Sequence, residues 1–511
     1  MQQLVSVCIL LNRLWGRHMS EKLNATTSFD KTKKYAPAVL GDVLVLGLGK
    51  SGKAASKYFA AQLGLRVHSL TVYAGATSAE AKEFAQDLES KGATVLFDTE
   101  EVQGSYQLCV VSPGISENSA FYQAAVKCSE EVISEVELAW RESAKDSVWV
   151  AITGTNGKTT TTSLTAHVLK ECGKNVCAVG NIGDACINEV AKDGYDYYVA
   201  EVSSYQLAST VYFAPEVAVL LNITPDHLKW HGSFEAYADA KKNIYAHCTK
   251  DATVILDATN DVVRGFVREL KNNPQREFRY IPMGTSEGIA GNMRLACGSE
   301  NAAFITEAGE LCLEYPEGRF EVIDAHDLQI KGEHNASNAL AAAAAAHALG
   351  CAVGDIASAL ISFAPLEHRI EPCGSIAGVS CYNDSKATNV DATLKALAAF
   401  GEKHPIVLLG GFDKGTDLSE LVEQAGKHCK AVVCFGAAGP RFLEAFSQAS
   451  LPVYSAPHLE EALDEALLHA ESGDIVALSP ACSSFDEFSC FEERGEVFKH
   501  LVALRSKERG A

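Results

Sequence analysis

Residues 148–160 read Val148-Trp-Val-Ala-Ile-Thr-Gly-Thr-Asn-Gly-Lys-Thr-Thr160. An apolar run of strand type feeds a glycine loop that opens a helix. Backbone N–H groups and the helix dipole then converge on one point, the geometry that holds a phosphate. Lys158 can reach the outer phosphates of a nucleotide, and the Thr159 hydroxyl can ligate Mg²⁺. The spacing departs from the standard phosphate loop, because Ile152 stands where the first glycine would fall. A plain strand-to-helix turn would need the glycines but has no use for Gly157, Lys158 and Thr159 in that order. Gly154, Thr155, Asn156, Gly157, Lys158, Thr159 and Thr160 are therefore the expected nucleotide-binding set.

Two further stretches carry groups that could serve the same phosphates. Ala200-Glu-Val-Ser-Ser-Tyr-Gln-Leu207 follows a strand-like run, so Glu201 stands at a strand end and faces the ligand crevice of a parallel sheet. A carboxylate there suits Mg²⁺, which takes a few protein oxygens and completes its shell with phosphates. Leu221-Asn-Ile-Thr-Pro-Asp-His227 is followed by Tyr237-Ala-Asp-Ala-Lys-Lys-Asn-Ile-Tyr245. Taken singly, Glu201 also fits a solvated strand end, His227 a loop histidine and Lys241 a solvated helix charge.

These groups need a scaffold, and the 511 residues are too many for one core. After an N-terminal extension (1–40), read as disordered or a mis-called start, three α/β blocks are expected at 41–146, 147–365 and 366–511. In the first, apolar runs at 42–46, 66–73, 93–97 and 107–111 alternate with helical stretches such as 53–62 and 78–91, which predicts a parallel sheet covered by helices. The polar stretch 141–147 and the Pro365 region mark the boundaries. The second block has strand-like runs at 148–152, 197–201 and 217–222, with short strands and turns across 277–330. The third repeats the rhythm at 406–409, 431–435 and 475–478.

Composition narrows the partners. Lys plus Arg is 44 against 65 Asp plus Glu, a net charge of −21, which repels nucleic acid. The 16 cysteines form no CxxC pair and no zinc spacing, and read as reduced, mostly buried thiols of a cytoplasmic protein. The apolar run 4–11 is too short to span a bilayer, its positive charges follow rather than precede it, and no later run approaches membrane length.

The first block carries Gly47-x-Gly49-x-x-Gly52, a dinucleotide-type turn. About 20 residues on, Leu70-Thr71-Val72-Tyr73 offers no acid for a ribose hydroxyl, which argues against NAD. Ser112-Pro-Gly-Ile115 adds a second strand-end turn in the same block.

Gly154-Thr-Asn-Gly-Lys-Thr159, Glu201-Val-Ser-Ser204, Asn222-Ile-Thr-Pro-Asp-His227 and Gly332-Glu-His-Asn-Ala-Ser-Asn338, in this order, resemble the central domain of the Mur ligases, a superfamily that includes folylpolyglutamate synthase. With the third block the resemblance spans nearly all of 41–504. It implies three domains: a Rossmann-like UDP-binding domain, a central ATPase-type α/β domain and a C-terminal Rossmann-like domain that binds an amino acid. Lys158 and Thr159 would belong to the phosphate loop, Thr159, Glu201 and His227 would hold magnesium, and Asn335 and Asn338 would lie near the adenine. Lys241, picked over Lys242 by the family register, would carry a carbamate that also faces the metal. Gly47, Gly49, Gly52, Thr71 and Asn181 would contact the UDP substrate.

In the third block, Leu366-Glu-His-Arg-Ile370, Tyr382-Asn-Asp-Ser-Lys-Ala-Thr-Asn389, Leu408-Leu-Gly-Gly-Phe-Asp-Lys414 and the run from Leu478 to Phe491 resemble the branch of the family that adds D-glutamate. By that resemblance Arg369 and Asp384 position ATP and Lys386 approaches the reacting phosphate. Thr388, Lys414, Ser484, Phe485 and Phe491 would hold glutamate. The implied activity is ATP- and Mg²⁺-dependent ligation of D-glutamate to UDP-N-acetylmuramoyl-L-alanine, by a monomer with no nucleic-acid or membrane partner. A folylpolyglutamate synthase-like ligase is opposed by the UDP-type first block and by Asn383–Asn389. A non-catalytic nucleotide-binding regulator should have lost some of Lys158, Thr159, Glu201, His227 and Lys241, all of which are present.

Overall fold

The computed structural model describes residues 28–273, 275–285, 296–413 and 415–509. They fall into two compact units, one running to Ala325 and resuming over Asn338–Leu360, the other comprising His326–Ser337 and the chain from Ile361 onward.

The first unit holds two sheets. One has five parallel strands, in spatial order Thr94–Phe97, Val67–Gly75, Gly41–Leu46, Leu108–Val111, Val132–Ser134. The chain starts in the middle strand and works outward in both directions, so a crevice opens beyond the C-terminal ends of Gly41–Leu46 and Leu108–Val111. The glycine turn and Ser112 follow those two ends. Alternating burial of Val43, Val45, Leu44 and Leu46 on both faces explains the uninterrupted apolar run.

The other sheet of this unit has nine strands. The phosphate-loop strand Val148–Thr153 lies between Tyr197–Glu201 and Val217–Leu220, all parallel, with Ile152 level with Glu201 and Thr153 level with Leu220. That register delivers Glu201, the glycine loop and Asn222 to the same end of the sheet. Beyond Thr253–Asp257 and Arg279–Thr285, the strands Ala302–Ile305, Glu310–Tyr315 and Gly318–Asp324 finish the sheet, the last two pairings antiparallel.

The segment 28–40, assigned to the extension on sequence, is instead packed. Ala36 and Leu40 are buried, Tyr35 stacks on Trp140 at 5.9 Å, Lys34 pairs with Glu216, and Arg66 donates to the Pro37 carbonyl. Residues 1–27 lie outside the described residues. Arg141, read as the start of a polar boundary, is also buried, because Glu131 and Glu137 neutralise it internally. Polarity in sequence does not report exposure when charges are paired.

The second unit holds a six-stranded sheet in the order Glu371–Ile376, Val379–Asn383, Ile475–Ala481, Ile406–Gly410, Ala431–Phe435, Val453–Ser455, parallel except for the first hairpin. Asn383 is level with Leu478 and Gly410 with Ala481, so three strand ends deliver residues 384–388, 411–413 and 482–485 to one edge.

No helix among the described residues is long and apolar enough to cross a membrane. The described cysteines are all free.

Candidate functional site

The phosphate loop is tightly specified. Gly157 has φ +84° and caps the helix Lys158–Glu171; a Cβ there would stand 2.5 Å from Asn338 Oδ1. Asn338 accepts from Thr161 Oγ1 at 3.1 Å, bracing the first turn of that helix. Asn222 grips the loop from the adjacent strand end: its Oδ1 accepts from the Asn156 N–H at 2.9 Å, and its Nδ2 donates to the Asn156 carbonyl at 3.1 Å. Thr155 Oγ1 lies 2.9 Å from the Tyr237 hydroxyl.

Two lysines converge on one carbonyl of this loop. Lys158 Nζ donates to Gly154 O at 2.9 Å and to Thr155 O at 2.8 Å, and Lys241 Nζ donates to the same Gly154 O at 2.7 Å. Lys241 is 1% exposed and lies over the Tyr237 ring. Burial, then the Lys158 charge, pushes its ammonium well below the usual lysine range, against weaker pulls from Asp226 and Glu201. Its neighbour Lys242 pairs instead with Glu269 at the surface. Burial thus separates two lysines that sequence alone leaves equivalent.

Glu201 is buried at its strand end. Its Oε1 accepts from Asn181 Nδ2 at 2.9 Å, whereas its Oε2 is buried with no hydrogen-bond partner. Asn181, expected at the UDP substrate, is here the residue that orients this carboxylate. A buried carboxylate oxygen without a donor fits a divalent cation, and a threonine hydroxyl such as Thr159 and an imidazole such as His227 are compatible ligand types. His227 is exposed, sits at φ +54°, and lies 3.4 Å from Asp226 Oδ1 through Nδ1. Left-handed backbone at a non-glycine residue is strained and is retained where a side chain must be aimed.

Among the described residues, Glu201 and His227 belong to no closed cluster of three His, Cys, Asp or Glu ligands. Among the described residues that arrangement occurs at Glu367, His368 and Glu496, where Lys499 pairs with both glutamates and makes it an ion-pair network.

The first sheet contributes its glycine turn. Gly47 has φ +81°, and a Cβ on Gly52 would overlap the Gly47 carbonyl oxygen, which accepts from Ser112 Oγ at 3.1 Å. A Cβ on Gly49 would meet nothing within 4 Å, so that side of the turn is open. The second strand ends Tyr73-Ala-Gly75, again without an acid. Thr71 is not brought to the turn. It lies mid-strand, level with Leu44. The loop after Ser112 reaches the short helix Leu228–His231, where Ser116 Oγ donates to Trp230 O at 2.7 Å.

In the second unit, Asp384 is buried, accepts from Ser479 Oγ at 2.7 Å, and is pushed up to about 7 by burial, against the pull of Ser479 and Arg369. Lys386 Nζ sits 3.6 Å from the Phe491 ring centroid. The Thr388 N–H donates to Lys386 O at 2.8 Å. Ser484 is buried and Phe485 is 68% exposed. Asn335 Nδ2 donates to Lys331 O. Lys414 lies outside the described residues.

Two residues were not singled out in sequence. Arg494 is fully buried and donates to the carbonyls of Ser385, Cys482 and Ser483 and to Ser385 Oγ, lacing together the loops that carry Lys386 and Ser484. His231 is buried against the Tyr237 ring that also carries Lys241, and burial, then the charges of His227 and Lys241, pushes its imidazole down to about 4. The order Phe491-Glu-Glu-Arg494 and the short spacing from His227 were visible, but nothing in them signalled burial.

Residues 152–346 match the Mur ligase middle domain and residues 368–482 the Mur ligase, glutamate ligase domain. The chain is 38% identical over 465 residues to a UDP-N-acetylmuramoylalanine–D-glutamate ligase of Caldanaerobacter subterraneus, covering 90% of this chain and 97% of the relative. It is 37% identical over 467 residues to the protein of that name from Streptococcus gordonii, covering 90% and 96%. Among solved structures, MurF from Acinetobacter baumannii superposes with a TM-score of 0.56 at 19% identity, covering 89% of this chain and 93% of that one. UDP-N-acetylmuramate-alanine ligase MurC from Thermotoga maritima gives 0.53 at 16% identity, covering 91% and 99%. At those identities the superpositions speak for the fold alone, while the sequence relatives, matched along nearly their whole length, show that the chain belongs to the Mur ligase family.

Proposed function

We propose that this chain joins D-glutamate to UDP-N-acetylmuramoyl-L-alanine with hydrolysis of ATP to ADP and phosphate, acting as a monomer in the cytoplasm. The observation that carries the reading is the pair of lysines, Lys158 and Lys241, meeting on Gly154 O beside a buried carboxylate oxygen of Glu201 that has no donor. Lys158 is directed at the loop that would cradle the phosphates, and Lys241 reaches the same loop from a buried position.

The alanyl carboxylate oxygen attacks the γ-phosphorus and ADP leaves, giving an acyl phosphate. The glutamate amine then adds to the acyl carbon, inorganic phosphate departs with the bonding pair, and the nitrogen loses a proton to water. Lys158 and the N–H groups of Gly154–Thr160 hold the transferred phosphate. Thr159, Glu201 and His227 would hold magnesium, which supplies charge neutralisation at the phosphates. Lys241, whose ammonium is disfavoured by burial and by the Lys158 charge, would add through Nζ to carbon dioxide with loss of a proton, and the resulting anionic carbamate would be a further ligand for the metal. Asp384 and Arg369 serve the nucleotide, Lys386 the phosphoryl chemistry, and the Gly47–Gly52 turn the substrate diphosphate. Thr388, Lys414, Ser484, Phe485 and Phe491 hold the two carboxylates and the carbon chain of glutamate.

ADP release measured with each substrate omitted in turn tests the reading. Full release requires all three substrates and is much faster with D- than with L-glutamate. Release that ignores the UDP substrate would overturn it.

Three variants probe the separate sites. Gly157→Ala combines a left-handed backbone with a clash on Asn338, strain of about 1–3 kcal/mol, or roughly 5- to 150-fold in ATP affinity, measured by nucleotide titration. Thr388→Ala and Lys414→Ala each remove a donor to a carboxylate. A loss of about 1.5–3 kcal/mol raises the KM for glutamate roughly 10- to 150-fold while that for ATP stays near wild type.

A further inference from the structure

None of the steps above uses His231. It closes the short helix Leu228–His231 that follows His227, and it is 3% exposed. Its ring is held on three sides, by Tyr205 at 5.6 Å, Trp230 at 4.4 Å and Tyr237 at 5.3 Å between centroids. The same Tyr237 ring carries Lys241 Nζ at 4.9 Å from its centroid, so the imidazole and the lysine share one aromatic neighbour. His231 Nε2 lies 3.0 Å from Ser204 Oγ. Nδ1 is buried and has no hydrogen-bond partner among the described residues.

A buried ring nitrogen without a partner is unusual, because leaving one is destabilising. Ser204 can donate its hydroxyl hydrogen to Nε2, and the neutral ring then carries its hydrogen on Nδ1. Next to an ammonium that N–H has nothing to bond. Next to an anion it is a ready donor. We infer that His231 is a positioning residue for Lys241, its Nδ1–H donating to an oxygen of the carbamate formed on that side chain and holding the anion toward the phosphate loop.

This rests on the reading of Lys241 as a carbamate. In that step the unprotonated Nζ attacks the carbon of dissolved carbon dioxide and an N–C bond forms. One C–O π pair moves to oxygen, and Nζ loses a proton to water. The product carries one negative charge over two oxygens, each able to accept a hydrogen bond. His231 is unchanged by the reaction. It shifts the equilibrium toward the carbamate and fixes its direction.

The test uses the full chain with ¹³C-bicarbonate and reads the carbamate by ¹³C NMR without nucleotide, beside thermal melting and turnover. Wild type should show one carbamate signal that is absent in Lys241→Ala. His231→Phe, which keeps a stacked ring but no nitrogen, should lower the carbamylation constant about tenfold or more, the loss expected for one hydrogen bond to a charged group. His231→Asn, which restores a side-chain donor, should recover much of it. Ser204→Ala, which frees the tautomer without touching the ring, should lie between wild type and His231→Phe. Unchanged carbamylation in folded His231→Phe and Ser204→Ala would overturn the inference, even if turnover fell, and would leave the lysine reading standing. If wild type shows no carbamate signal and Lys241→Ala remains active, the reading of Lys241 fails first and the inference falls with it.

Discussion

Lys158→Ala lowers kcat by about 10²–10³-fold or more, the loss typical of removing one preorganised donor from a developing charge, while the protein still folds and binds its UDP substrate. The side chain leaves behind two acceptors, Gly154 O and Thr155 O, in a part-buried loop that water can reach. Gly154 O keeps its hydrogen bond from Lys241, so the stability change should stay within about 1 kcal/mol. The substrate turn at Gly47–Gly52 is built on a different sheet and shares no hydrogen bond with Lys158 among those described above. A second consequence follows from the shared carbonyl. Lys158 is the largest charge that depresses Lys241, so its removal lets the Lys241 ammonium rise toward the ordinary range. Titration of the UDP substrate, thermal melting and turnover separate these effects. Turnover near wild type would remove Lys158 from the phosphate site.

The main features of the fold were legible because they depend on local pattern. The strand Tyr197–Glu201 is bounded as its apolar run suggests, and Ser78 caps the helix Ala79–Ser90 by accepting from the Ala81 N–H, as a serine before an amphipathic stretch should. The phosphate loop was readable for the same reason: Gly157 must be glycine for its own φ. What escaped was set by distant partners. Arg494 looks like one more charge in a polar helix, and only the three carbonyls that surround it explain its burial. The segment 28–40 looks like a tail until Trp140, Glu216 and Arg66 close on it. Thr71 is named only by the resemblance, and the sheet register, which no local pattern gives, sets it level with Leu44, two residues before the partner of Leu46.

Lys241→Ala should be nearly inactive, and a small carboxylate such as acetate should partly restore it. The argument begins with charge. If an ammonium stood about 4 Å from Mg²⁺, the repulsion would be roughly 8 kcal/mol at an effective dielectric of about 20. Releasing the proton of an ordinary lysine at pH 7 costs only about 4.6 kcal/mol, so the cation is the first thing the site gives up. Burial and Lys158 already press in that direction before any metal arrives. The neutral amine is the form that adds to carbon dioxide, and the carbamate replaces a repelled cation with an attracted anion. Alanine leaves a cavity bounded by Gly154 O, Thr153 and the Tyr237 ring, with room where the anion stood. Acetate can enter that space and return the negative charge, although without the covalent tether. Lys242→Ala is the control: its ammonium pairs with Glu269 at the surface, an interaction worth about 0–1 kcal/mol, and turnover should stay close to wild type. The measurement is turnover of both variants against acetate concentration, with chloride at matched ionic strength. A fully active Lys241→Ala would sink the carbamate while leaving the phosphate loop, the metal ligands and the glutamate site untouched. Chloride rescue equal to that by acetate would show that screening, rather than a carboxylate in the vacated position, restores the reaction.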